Sequence, residues 1–180
     1  MAEEKKEPWL NYLALTTVIL AVCATLSTFK GGAFSTRSVL SQTQAANQWA
    51  YYQAKGIKSY LYEIQKERLE LELQQQEGNG LSSHAIESHK NTISTYADRI
   101  AKYNSEKDAI EKEAKRLEAI RDDAQKHAQV FGIAVIFLQI AILLSSVAAL
   151  MKKKPVWYLG VLMGIMGIIY FANGFLLFYI

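Results

Sequence analysis

The sequence predicts an all-α membrane protein, with three transmembrane helices and a long antiparallel coiled-coil hairpin inserted between the first and the second. Residues 10–29, 131–150 and 156–180 contain no Asp, Glu, Lys or Arg. Each segment has the ~20 apolar residues needed to cross the hydrocarbon of a bilayer. Nearly all charge lies between the first and second segments, where apolar residues recur at the heptad spacing of a coiled coil.

The bulk composition excludes several classes of protein. Hydrophobic residues make up 51% of the 180 residues, and the net charge of +3 is too small to predict a nucleic-acid-binding surface. Cys23, the single cysteine, allows no internal disulfide. The cysteine content therefore does not indicate the redox compartment of the protein.

The first transmembrane helix, residues 10–29, follows a short cytoplasmic N-terminus over residues 1–9. That N-terminus carries three acidic residues against two lysines, so it lacks the basic start of a secretory signal. We therefore expect a retained anchor rather than a cleaved signal peptide. Gly31 and Gly32 predict an end to this helix and a connector over residues 30–38.

The extramembrane hairpin is predicted over residues 39–127, with its turn at 77–82, where Gly78-Asn79-Gly80 favours a reversal of the chain. Centring the turn there places Ile64 opposite Ile93, which favours an intramolecular antiparallel pair. The predicted seam comprises Ile57, Leu61, Ile64 and Leu71 on the first arm, and Ile86, Ile93, Tyr96, Ile100 and Tyr103 on the second.

The second arm continues without a proline, which predicts one helix from about Ser83 to Leu150 that includes transmembrane helix 2 at 128–151. Pro155 ends that helix and separates it from transmembrane helix 3 at 156–180. The loop at 152–155 contains Lys152, Lys153 and Lys154. Because basic residues in short loops stay in the cytoplasm, the hairpin is expected on the opposite side, the periplasm in a bacterium.

Small and polar residues in the apolar segments predict close helix packing. Gly160, Gly164, Gly167 and Gly174 fall largely on one face of the third span, and small residues let helix backbones approach in lipid. The alternative is that glycine is simply common in membrane helices. The amides of Gln139 and Asn173 are expected to form interhelical hydrogen bonds, with a polar pore or ligand contact as the alternative.

Aromatic residues crowd the lower part of the first arm. They are Trp49, Tyr51, Tyr52, Tyr60 and Tyr62. A two-helix seam can bury only some of them, so the rest predict a protein interface. The alternative is that they pack on the 30–38 connector.

The residues of a catalytic or metal centre are not found in the sequence. Of the three histidines, His84 and His89 do not share a helix face, and no HExxH motif is present. His127 forms an i, i+4 pair with Asp123 and is expected to tie the helix end to headgroups or to a neighbour. We expect no catalytic residues, no metal and no cofactor.

Three motifs carry a resemblance to a known family: Trp49–Lys55; the pattern from Leu117 through Arg121 and His127 to Phe131; and Phe137–Ile142. They resemble an uncharacterised bacterial family of small inner-membrane proteins known only as a domain of unknown function. The resemblance covers most of the chain and implies a bacterial membrane protein of this layout, but no activity. It marks Trp49, His127 and Gln139 as motif positions.

These observations favour a non-catalytic membrane scaffold or accessory subunit. It is expected to oligomerise or to join a larger membrane complex through its hairpin and its small-residue spans, with the lipid bilayer and other subunits as partners and no nucleic acid. The alternative is a membrane sensor or gate, in which the hairpin relays a signal to transmembrane helix 2. A channel or an enzyme ranks third, since no charged residue lies within the spans.

Overall fold

The computed structural model describes residues 8–76 and 83–177, and the described chain forms three α-helices and no strand. These are α1 (Trp9–Gln76), α2 (Ser83–Met151) and α3 (Lys154–Leu176). Each contains a stretch long and apolar enough to cross a membrane. The all-helical class and the three apolar helices are therefore as predicted. The predicted turn at 77–82 and the first seven residues lie outside the described residues.

The boundary between α2 and α3 lies at the basic loop. Helix α2 runs without interruption from Ser83 to Met151, as its lack of proline predicted. Lys152 takes a left-handed backbone conformation with φ of 50°, and Pro155 lies in the first turn of α3. Proline fits there because the first amides of a helix have no intrahelical acceptor.

Helix α1 corrects the predicted break at Gly31 and Gly32, because it continues through both glycines to Gln76. A Cβ atom on Gly31 would lie 3.1 Å from the Cβ of Phe131. Gly31 therefore allows α2 to approach closely rather than ending the helix. A glycine inside a helix costs only about 1 kcal/mol, which the packing around it can offset. The predicted connector over 30–38 is helical.

The chain divides into two compact units. The apolar unit comprises the described residues of Met1–Leu40 and Ile120–Ile180, and the charged unit comprises those of Ser41–Ala119. In the apolar unit, Phe131, Leu138 and Ser145 on α2 are almost completely buried. Four alanines of α2 there are buried to the same degree: Ala124, Ala134, Ala141 and Ala148. Small residues on this face let the neighbouring helices approach closely.

Candidate interaction surfaces

An ion pair between the two helices lies at the centre of the charged unit. The ammonium of Lys55 lies 2.6 Å from Oε2 of Glu106, and the Lys55 side chain is only 14% exposed. The same ammonium lies 5.2 Å from the ring centres of both Tyr51 and Tyr103. Such cation–π contacts add to the attraction of an ion pair held partly away from water. This cluster joins α1 to α2.

A group of three tyrosines lies next to the ion pair, and Tyr103 contacts both. Tyr62 packs against Tyr96 and Tyr103, with ring centres 5.3 and 5.9 Å apart. The guanidinium of Arg99 donates a hydrogen bond to the Tyr62 hydroxyl over 3.3 Å. Aromatic pairs at these distances stabilise packing beyond the area they bury. Tyr62 is therefore an intramolecular contact rather than a free interface residue.

Trp49 and Tyr52 are also engaged within the charged unit. The Trp49 indole donates a hydrogen bond of 2.8 Å to Oε1 of Glu118, and its ring meets Tyr52 edge-on at 5.5 Å. The Lys107 ammonium lies 4.9 Å from the centre of the Tyr52 ring. Tyr51 and Tyr60 remain 51% and 63% exposed. The alternative that the aromatic residues pack on a 30–38 connector is wrong, since that segment is part of α1.

The predicted seam on α1 is wrong in its phase. Ile57, Leu61 and Leu71 are 62%, 55% and 58% exposed, and Ile64 is 43% exposed. The packed face is two residues away, where Ser59 is buried and its hydroxyl contacts the Asn104 amide oxygen at 3.4 Å. On α2, the predicted seam residues Ile86, Ile93, Tyr96, Ile100 and Tyr103 are all half-buried. The error arose because the packed face of α1 mixes polar and aromatic residues, such as Ser59 and Tyr62, whereas the regular aliphatic heptad lies on another face.

The Lys55–Glu106 pair predicts that the stability of the charged unit depends on pH. The hydrogen bond from Lys55 holds the pKa of the Glu106 carboxyl below its ordinary value of 4.5. The ammonium's own pKa is raised above 10.5, chiefly by the same bond. A lowered carboxyl pKa gives stability that is complete above the unfolded-state value and is lost as pH falls through the folded-state value.

We therefore expect the charged unit to lose thermal stability as pH falls below about 4.5, and Glu106→Gln to lose part of this dependence. Circular dichroism melting curves of the full chain between pH 7 and pH 3 measure the effect. Glu67→Gln, at an exposed carboxylate on the same unit, is the matched control. Identical pH profiles for both variants and the wild type would show that the ion pair contributes nothing.

A second cluster joins the three helices of the apolar unit. The ring of His127 on α2 stacks on Phe34 of α1 at 4.4 Å, and its Nδ1 lies 2.7 Å from the carbonyl oxygen of Gly174 on α3. Phe34 also stacks on Phe131 at 6.0 Å. His127 therefore contacts neighbouring helices rather than pairing with Asp123, which is exposed. The sequence alone does not indicate this role for Phe34, because Gly31 and Gly32 predict a connector around it rather than a helix.

The glycines of α3 allow close packing within the apolar unit. Gly160, Gly164, Gly167 and Gly174 are all buried. A Cβ on Gly167 would lie 2.7 Å from Cγ of Leu138, and one on Gly174 would lie 2.7 Å from the Phe131 ring. At such distances something must shift, so only glycine fits without rearrangement.

The two amides of the apolar segments occupy different environments. Asn173 is buried, whereas Gln139 is exposed. Gln139 therefore does not face another helix of the same chain, and an interhelical hydrogen bond from its amide stays a prediction. Its neighbour Leu138 takes the buried position on α2, and successive residues of a helix point about 100° apart. Gln139 thus lies on the outer surface of the apolar unit.

The described residues form an all-helical protein with three helices long and apolar enough to span a membrane. In that part of the chain, no group of three His, Cys, Asp or Glu side chains is placed to hold a metal ion. The chain belongs to the family described as a domain of unknown function (DUF4337), whose family model matches residues 9–177. The chain matches no curated protein and no solved structure.

Proposed function

We propose that this protein is a non-catalytic membrane scaffold or accessory subunit. Three transmembrane helices anchor it, and the charged unit is the surface through which it binds other subunits. The observation that carries this proposal is a row of exposed aliphatic side chains on α1 within the charged unit. Polar and aromatic side chains such as Ser59 and Tyr62 pack towards α2, whereas the aliphatic side chains of Ile57, Leu61 and Leu71 are more than half exposed. Exposed apolar patches of this kind are typical of protein–protein interfaces.

The outer surface of the apolar unit supports insertion into a bilayer. Large apolar side chains such as Phe29, Leu143 and Leu150 are 72%, 65% and 86% exposed. Such a surface is unfavourable in water and favourable in lipid. Trp9 and Trp157 lie 6.1 Å apart near the α2–α3 loop, as aromatic residues do at a membrane interface. We propose that the protein lies in the bacterial inner membrane, with Lys152–Lys154 in the cytoplasm and the charged unit in the periplasm.

The charged unit is proposed to be an antiparallel coiled-coil hairpin. Three contacts link the two helices: Trp49 with Glu118, Lys55 with Glu106, and Tyr62 with Arg99. As the residue number on α1 rises, the number of its partner on α2 falls. That order is the one that antiparallel helices produce. The packed positions of α1, including Ala45, Tyr52, Ser59 and Tyr62, follow steps of three, four or seven residues.

Disulfide formation tests this hairpin. In a Cys23→Ser background, cysteines at Ser59 and Asn104 are expected to join within one chain, because these short side chains touch. The control pair, Ile57→Cys with Ile100→Cys, is expected to join poorly because Ile57 points outward. Reducing and non-reducing gels distinguish a shifted monomer from a linked dimer. Efficient linkage of the control pair alone would contradict the proposed register.

The scaffold proposal itself is tested by mass and crosslinking. The full chain, purified in several mild detergents, is expected to run above the mass of one copy and to crosslink to protein in its native membrane. Gln139→Leu is expected to weaken that association by about 1 kcal/mol, because an amide facing lipid gains from a partner. Ser146→Ala is the control, since this exposed hydroxyl already bonds to the Ile142 carbonyl.

The scaffold proposal would be contradicted if the wild-type chain runs as a monomer in every detergent and crosslinks to nothing in its membrane. That result would favour the second candidate, a sensor or gate. The uninterrupted course of α2 from Ser83 to Met151 supports that alternative, because one helix contains both hairpin residues and the second span.

A further inference from the structure

We propose that the exposed apolar face of α1 binds further copies of the same chain, helix against helix, in parallel and in register. This face is called the α1 seam and is defined by Ala50, Ala54, Ile57, Leu61, Ile64 and Leu71. The inference rests on the proposed function in one respect, namely that all copies share one bilayer. It identifies both the surface and the partner, which the scaffold proposal leaves open.

The α1 seam has the spacing of a coiled-coil interface. Its positions alternate by steps of four and three from Ala50 to Ile64 and continue through Arg68 to Leu71. The buried position Ser59 lies between Ile57 and Leu61, on the opposite side of α1. Helix α1 therefore presents two heptad faces, of which α2 covers only one. A seam of this kind accepts the knobs of another helix.

The apolar area of the α1 seam is large enough for a stable contact. Ile57, Leu61, Ile64 and Leu71 are between 43% and 62% exposed, and the flanking Tyr51 and Tyr60 are 51% and 63% exposed. These four aliphatic side chains of the seam and the two flanking tyrosines, each about half exposed, together supply on the order of 600 Å² of surface per copy. That area is at the upper limit for a patch on a monomer. It is most of the ~800 Å² that each partner buries in a standard interface.

The part of α2 that the structure describes within the charged unit does not offer an apolar partner for this seam. Between residues 84 and 119 of α2, all described, no large apolar side chain is exposed. A second α1 seam is therefore the complementary apolar surface that this unit provides. Contact between identical patches is the arrangement found in symmetric homo-oligomers.

Membrane insertion fixes the direction of the contact. Copies inserted the same way into one bilayer are related by an axis along the bilayer normal, so equivalent helices run parallel. Leu61 then takes an a position, and Ile57 and Ile64 take d positions, a distribution that favours more than two parallel strands. The charge of Arg68 in this seam is offset by Glu67 and by Glu72, whose carboxylate it already contacts at 2.9 Å.

Single-cysteine crosslinking in native membranes tests the register. In a Cys23→Ser background, Ile64→Cys is expected to form a disulfide-linked dimer of the full chain on oxidation, because a parallel in-register pair brings residue 64 opposite itself. Ser88→Cys, at an exposed position on α2, is the matched control and is expected to remain unlinked. Linkage of Ser88→Cys alone would place the contact on α2 and overturn the proposal.

Mass measurement of charged variants tests the contribution of the seam. Ile57→Glu combined with Ile64→Glu is expected to reduce the detergent-solubilised mass to one copy without lowering the melting temperature, since both side chains are exposed. Ser88→Glu is the control and should keep the wild-type mass. If the double substitution leaves the oligomer unchanged, or if Ile64→Cys links to a different protein, this inference is overturned. The scaffold proposal would still stand in either case. A monomeric wild type without crosslinks overturns both.

Discussion

Phe131→Ala is expected to lower the free energy of unfolding of the apolar unit by about 2–4 kcal/mol. Phe131 is fully buried and packs on Phe34 of α1 and on Phe175 of α3, whose ring centre lies 5.1 Å away. Its removal leaves a cavity where all three helices meet. In lipid the transfer term is smaller than in water, so lost packing supplies most of the effect.

Cys23 provides the measurement for this variant. It is half-buried against the cluster of Leu20, Ala24, Leu138 and Ala141, so its reaction with a thiol dye during heating reports the opening of the apolar unit. Phe29→Ala is the matched control because Phe29 is 72% exposed. Equal melting temperatures for the two variants would show that Phe131 is not a packing centre.

Gly167→Leu is expected to destabilise the contact between α2 and α3 by about 1–3 kcal/mol or more. Even a Cβ atom at residue 167 would lie 2.7 Å from Cγ of Leu138 and 3.1 Å from its backbone nitrogen. The side chain of Leu138 can move, but the backbone cannot without displacing the helix. The larger leucine side chain therefore forces α3 away from α2.

Gly132→Leu is the control for this substitution, because a Cβ there meets nothing within 4 Å. Leucine also has a better helix propensity than glycine, by somewhat under 1 kcal/mol. The Cys23 assay should therefore show a lower transition temperature for Gly167→Leu and an unchanged or higher one for Gly132→Leu. A similar decrease in both variants would attribute the effect to leucine itself rather than to close helix contact.

The helices with strong local signals could be predicted from the sequence. Pro155 restricts the backbone directly, and the long proline-free stretch from Ser83 favours a continuous helix whatever it packs against. Gly31 and Gly32 misled the prediction because a glycine signal is ambiguous. Glycine is found both where a helix ends and where another helix comes close, and at Gly31 only the position of Phe131 distinguishes the two cases. A Cβ atom on Gly32 would meet nothing within 4 Å, so no such contact explains that residue.

The packed face of α1 could not be predicted, because polar and aromatic residues form it and the more regular aliphatic heptad does not. Lys55 and Ser59 pack on α2 since Glu106 and Asn104 are there to meet them. The aliphatic heptad positions Ile57, Leu61 and Leu71, whose regular spacing predicts a buried seam, are exposed. The His127 cluster was missed for a related reason: its partners, Phe34 and Gly174, are distant in sequence. Such contacts depend on tertiary packing rather than on local spacing.

The membrane arrangement of the three helices is tested most directly by the accessibility of two single cysteines. In a Cys23→Ser background, Ser88→Cys lies on the charged unit and Lys153→Cys lies in the loop between α2 and α3; both positions are exposed. If α2 crosses the bilayer, a membrane-impermeant maleimide labels Ser88→Cys in intact spheroplasts and Lys153→Cys only after lysis. Labelling of both cysteines from the same side of the intact membrane would contradict the transmembrane assignment of α2.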